Sequence, residues 1–204
     1  MTTTTPAATN ASPAPAPSSA PVTPDQGWLR RYYTVRALFS AGWVALALTV
    51  GARHPAIGIA LALAYPAWDA LANGYDARRS GGLAASPTQA LNMAISAAVT
   101  LAVAAAVAVT ATTGLHAVVG IIGGWAILAG LLQLATAARR RSSAAAQWPM
   151  ILSGAQSAAA GLHFILRALD PARALTVADI APYAAFGALY FAISAAVLAL
   201  RRRG

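Results

Sequence analysis

Few residues in this chain could carry chemistry, and their positions matter more than their number. Asp69 stands inside an apolar stretch, where an ionisable group is costly and marks a functional or a paired position. Arg36 stands at a similar depth in the preceding apolar stretch, which runs the opposite way. One reading is therefore an intramembrane ion pair between Arg36 and Asp69. The other has Arg36 reaching out to lipid headgroups while Asp69 faces water. The three histidines, His54, His116 and His163, all fall near the same end of their segments, together with Arg53, Arg167 and Arg173. Imidazole ordinarily titrates at about pH 6.5, so acid would add charge to an already basic surface and shift helix packing. This makes the three histidines candidate pH sensors, to be weighed against ordinary interface histidines. They lack ligand spacing, and the chain has no Cys or Glu to support them, so no metal site is expected.

The search for catalytic patterns is negative. There is no Gly-x-Ser-x-Gly, no His-Glu-x-x-His, no glycine loop able to cradle phosphate, and no pair of carboxylates to share acid and base work. Neither an enzyme nor a cofactor is expected. Without cysteine, the redox compartment leaves no mark.

The elements that position these residues are set by lipid. With 58% hydrophobic and 9% charged residues and a mean hydropathy of +0.61, the chain is too apolar for a water-soluble domain. Crossing the hydrocarbon of a bilayer takes about 20 apolar residues. Stretches of that size occur at 30–51, 55–74, 88–111, 115–138, 147–167 and 179–200. The expected fold is all-α, a polytopic membrane protein of six transmembrane helices. Pro55, Pro87, Pro149 and Pro182 sit at or near segment starts, where a missing N–H costs least. Pro66 is interior and should kink the second helix. Residues 1–27 are rich in Pro, Ala, Thr and Ser and are expected to be a disordered tail, leaving 28–204 as the membrane domain.

Arginine sets the orientation. Eleven of the fourteen, including Arg30, Arg31, Arg78, Arg79, Arg139 to Arg141 and Arg201 to Arg203, fall on one side of the segments. The positive-inside rule then places both termini in the cytoplasm of a bacterial inner membrane. The formal net charge of +9 lies at the ends of apolar runs, which argues against nucleic acid. The bilayer is the expected partner, and the same basic loops would attract anionic lipid headgroups besides fixing topology.

Arg78-Arg79, Arg140-Arg141 and Arg202-Arg203 recur at intervals of 62 residues, and His54 with Gly58 returns as His116 with Gly120. This suggests three repeated helical hairpins, at about 28–80, 88–142 and 147–203. Small residues one turn apart, Gly120 with Gly124, Ala126 with Gly130 and Ser157 with Gly161, together with Gly154, are read as helix-packing positions. Asn92, Gln133 and Gln156 are expected to hydrogen-bond between helices, with a polar conduit as the alternative.

Several of these residues resemble the HdeD-like membrane proteins, short bacterial chains linked to acid resistance. The likeness runs through Gly123-Gly124-Trp125-Ala126-Ile127-Leu128-Ala129-Gly130 and Gln133 to the Arg139 cluster, then through Trp148, Ile151-Leu152-Ser153-Gly154 and Gly161. His54-Pro55, Tyr65 and Asp69 ahead of Arg78 fit the family's first hairpin, and Tyr183 through Phe186-Gly187-Ala188-Leu189-Tyr190 to Arg201 fits its third. His54 stands where the family more often has an aromatic residue. The resemblance implies a six-helix, non-enzymatic inner-membrane protein that supports tolerance of acid or envelope stress. The alternative is a small transporter or channel for protons or a small solute. Substrate, oligomeric state and protein partners are not legible in the sequence.

Overall fold

The computed structural model describes residues 26–109, 115–139 and 148–200. Residues 1–25 of the proposed tail and the arginines at 140, 141 and 201–203 therefore lie outside the described residues, whereas its last two, Gln26 and Gly27, open the first helix instead. Among those described, the chain forms six α-helices and no strand: α1 Gln26–Leu46, α2 Pro55–Arg79, α3 Pro87–Val109, α4 His116–Arg139, α5 Trp148–Ala168 and α6 Ala181–Leu200. At 1.5 Å per residue, helices of 20 to 25 residues reach about 30 Å or more, the thickness of the hydrocarbon layer. Five of the helices are long and apolar enough to cross a membrane. The other, α5, has the length but carries Gln156, His163 and Arg167, which lower its apolar content. The chain is an all-α membrane protein whose exposed Leu, Ile, Val and Phe side chains suit contact with lipid.

Local sequence explains the helix ends. Pro55 and Pro87 begin α2 and α3, where their fixed φ fits and no backbone donor is lost. The basic end of α2 closes on Gly81 and Gly82, whose φ values of +96° and +97° favour glycine, and the Gly82 N–H returns to the Ala77 carbonyl at 2.9 Å. The α1 helix ends in a wide turn, Ala47–Gly51, and a single 3₁₀ turn, Val177–Ile180, leads into α6. That 3₁₀ turn is stapled by a capping box. The Thr176 N–H donates to Asp179 Oδ2 at 2.7 Å, and the Ala178 N–H donates to Thr176 Oγ1 at 3.2 Å.

Successive helices alternate in direction. One end of the bundle, where α1, α3 and α5 start and α2, α4 and α6 finish, carries Arg30, Arg31, Arg78, Arg79 and Arg139 and is here called the basic end. The closest packing runs between α4 and α5, α1 and α6, and α2 and α3. Each of these seams joins the second helix of one sequence hairpin to the first helix of the next, with α6 on α1 closing the series. The two helices inside a hairpin pack less closely, α1 on α2 and α5 on α6 least of all. A repeat of the kind written in the arginine spacing is thus held together by contacts between its units.

The α4–α5 seam shows how. Gly123 lies against Gly161 and Gly130 against Gly154, an antiparallel register with one glycine pair every seven residues. A Cβ on Gly123 would sit 2.8 Å from the Gly161 carbonyl oxygen, and one on Gly154 would sit 2.9 Å from that of Gly130. Only glycine allows the backbones this close, and van der Waals contact between backbones is what drives helix association in lipid. Gly120 is in ordinary contact with Ala168, whereas a Cβ on Gly124 would meet open space. The four-residue spacing that selects Gly124 therefore picks the wrong face. One residue earlier, Gly123 is rotated by a helical step of about 100° onto the seam.

Proline 66 is buried in the middle of α2, and the helix continues through it. The Trp43 indole N–H donates to the Leu61 carbonyl at 2.8 Å, in the turn just before the proline. A residue of α1 thus supplies the donor where proline loosens the backbone ladder.

Candidate functional site

The sequence places Asp69 about one turn from the end of its segment, but α2 runs on to Arg79 and puts Asp69 ten residues, about 15 Å, inside it. Asp69 is thus a mid-helix carboxylate. Arg36 approaches it from α1, one guanidinium nitrogen in direct contact with Asp69 Oδ1. The other carboxylate oxygen accepts Asn73 Nδ2 at 2.9 Å and Ser96 Oγ at 2.8 Å. Three helices meet on this one carboxylate. Arg36 Nη1 also donates to Tyr32 Oη at 2.8 Å, which in turn donates to the Ala72 carbonyl at 3.3 Å, and the guanidinium carbon lies 4.2 Å from the Phe191 ring centroid on α6. Charge neutralisation, hydrogen bonds and an aromatic face together compensate the loss of water around the pair. Asn73, Ser96 and Phe191 are partners that sequence spacing did not single out. Asn73 follows Asp69 by four residues, one helical turn, the only local signal among them.

This network forms one wall of a cavity of about 610 Å³. All six helices contribute to its lining. The polar groups include Thr88 and Asn92 of α3, Gln133 of α4, Ser153, Gln156 and Ser157 of α5, and Tyr183 and Tyr190 of α6. Asn92, Gln133 and Gln156, the amides picked out in the sequence, line one space. Gln156 Oε1 accepts the Tyr190 hydroxyl at 3.0 Å, while the buried Gln133 Oε1 has no hydrogen-bond partner. Ser157 Oγ donates to the Ala126 carbonyl at 2.9 Å and lies 3.3 Å from the Tyr183 hydroxyl.

The cavity has a direction. Its lining reaches the exposed first turn of α3 at Pro87 and Thr88, on the basic end. In the other direction it runs to buried Tyr65, Trp125, Ser96 and Ser157. Beyond them the bundle is filled. Trp43, Ala47, Val103, Val118, Val119, Ile122, Phe164, Val177 and Ile180 are all buried in one apolar cluster. Val177, at the head of the 3₁₀ turn, reaches the α1–α2 corner, where a Cβ on Gly51 would be 2.6 Å from its Cγ1. The space is a vestibule, reaching the surface at the basic end and blocked towards the other.

The histidines lie at that other end, apart from the vestibule. His54 is exposed at the start of α2, His116 Nε2 is 3.2 Å from the Asp170 carbonyl oxygen, and exposed His163 has its ring 6.2 Å from Phe164. Among the described residues no group of three histidines or acids could hold a metal. Two of the three arginines that were to repel protonated histidines have acidic partners. Arg167 pairs with Asp179 at 2.6 Å and Arg173 with Asp170 at 3.6 Å. Reading that surface as uniformly basic overlooked these two acids, which sit on the link into α6.

Residues 95–166 match a family model described as a short repeat of unknown function, DUF308. The DUF308 stretch begins in α3 and ends in α5, so it spans the glycine seam together with Trp125, Gln133 and Gln156 of the vestibule wall. Arg36 and Asp69 lie outside it. Neither the curated proteins nor the solved structures include a match to the chain.

Proposed function

We propose that this chain is a non-enzymatic, multi-pass protein of the bacterial plasma membrane, of the HdeD-like type. Its vestibule takes up a small solute from the cytoplasmic face, in the service of tolerance to acid or envelope stress. The observation that carries the reading is a cavity lined by all six helices, largely apolar but carrying hydroxyl and amide groups from α3 to α6, reaching the surface at the basic end and bounded by an apolar plug beyond. Hydroxyl and amide groups left without partners inside a membrane protein are costly, so their gathering around one space points to use. The repeat match over residues 95–166 supports the HdeD-like assignment, since the residues behind the family resemblance in the second repeat fall largely within it. The arginine bias supports cytoplasmic termini, and the cluster of Trp28, Tyr32, Tyr75 and Arg79 at the basic end suits the headgroup layer and anionic lipid.

Transit across the membrane needs the plug to yield. The 3₁₀ turn is its element most suited to move, because a capping box and the Arg167–Asp179 ion pair hold it in place of a continuous helix. A proton relay through Asp69 fits less well, since both of its oxygens already have donors.

Two measurements test the proposal. Purified full-length chain in proteoliposomes is expected to raise the permeability to some proton or small solute, and Asp69→Asn to abolish the increase. A deletion strain is expected to lose survival at low external pH. Vesicles no leakier than protein-free controls would end the transport reading, and a deletion strain as acid-tolerant as its parent would end the stress role.

A further inference from the structure

The charges in the vestibule restrict what can enter it. Among the described residues lining it, the charged side chains are Arg36 and Asp69, and each neutralises the other. Asp69 is already met by three donors, Arg36 on Oδ1 with Asn73 and Ser96 on Oδ2, and its charge is balanced by Arg36. Most of the Arg36 guanidinium is already engaged. One terminal nitrogen faces Asp69, the other donates to Tyr32, and Phe191 lies 4.2 Å from the guanidinium carbon. An ion entering this space would lose its hydration without meeting a free countercharge, a cost that outweighs what the cavity's hydroxyl and amide groups return.

Hydrogen-bonding capacity, by contrast, is left over. Gln133 Oε1 is a buried acceptor without a partner, and Arg36 Nε is a buried donor without one. Both atoms are covered, although their residues belong to the cavity wall, and Thr88, Asn92 and Ser153 add hydroxyl and amide groups to it. Trp125, Phe186 and Phe191 contribute aromatic surface suited to a solute's C–H groups. A volume of about 610 Å³ lies within the range of small-molecule sites.

We infer that the vestibule binds a small uncharged solute bearing hydroxyl or amide groups, and that ions and protons are not its cargo. This rests on the transport reading given above. The solute must both donate and accept, which a hydroxyl does with a single oxygen and an amide with adjacent atoms.

The test uses the full chain in proteoliposomes. Stopped-flow light scattering follows uptake of glycerol, xylitol and urea, while voltage-sensitive and pH-sensitive dyes follow potassium, chloride and proton movement. At least one neutral solute should enter faster than into protein-free vesicles, with a rate that saturates. Gln133→Leu should lower that rate roughly three- to tenfold, the loss of one polar contact. Should Gln133→Leu fail to assemble, Asn92→Leu on the half-exposed second turn of α3 is measured instead. Ion or proton flux without neutral flux would overturn this inference while leaving transport standing. Neutral flux untouched by the variant measured would put the path elsewhere and overturn it too. No flux of any kind would remove both readings together.

Discussion

The two halves of this bundle use the same six helices in opposite ways. Towards the basic end, side chains from α1, α2 and α3 converge on Asp69, and amides and hydroxyls from α3 to α6 face a common cavity. Towards the other end, Trp43, Val103, Val118, Ile122, Phe164 and Val177 meet in one buried apolar cluster. The polar half is held by a few directional contacts, each dependent on its partner. The apolar half is held by many interchangeable dispersion contacts. Damage should therefore be all-or-none in the first and graded by volume in the second.

Removing one member of the buried ion pair should give the largest effect. Asp69→Ala leaves the Arg36 guanidinium uncompensated and is expected to cost about 3–5 kcal/mol, read as loss of thermal stability in detergent. The double change Arg36→Met with Asp69→Leu should recover most of that loss, since apolar replacement of a whole buried pair is tolerated. A double variant as unstable as the single one would mean that the pair itself is not the source.

In the plug, Phe164→Ala should cost about 2–5 kcal/mol, graded by the cavity it leaves. It should also raise solute leak in vesicles, because Phe164 belongs to the layer that closes the vestibule. If it destabilises without raising leak, the barrier lies elsewhere.

The seam between α4 and α5 offers a sharper contrast within one helix. Gly123→Ala forces a methyl group against the Gly161 carbonyl and should cost about 1–3 kcal/mol, whereas Gly124→Ala meets open space and should be close to neutral. Equal effects from these adjacent glycines would refute the register of the seam. A modest loss is expected at the 3₁₀ turn, where Thr176→Ala removes a capping oxygen worth about 1 kcal/mol. Its signature should be faster hydrogen exchange confined to the link into α6.

How much of the site was legible follows from the same physics. Arg36 and Asp69 stood out because charge in an apolar run is conspicuous, and Asn92, Gln133 and Gln156 stood out for the same reason. Ser96 and Phe191 did not, because a serine or an aromatic residue inside an apolar helix is ordinary. Gly124 was chosen over Gly123 because four-residue spacing is only one of the registers that bring helices together.

The sequence by itself determined the solvent, the number of helices and most of their ends. Those are local matters: about 20 apolar residues span the hydrocarbon, prolines start helices and Gly81 and Gly82 end one. Only the tertiary structure decided which helix lies on which, that α6 closes on α1, and that a vestibule remains between them. In water a helix shows its buried face by being apolar on that side. In lipid both faces are apolar, so the choice of neighbour is left to close packing and a few polar contacts that come together only in three dimensions.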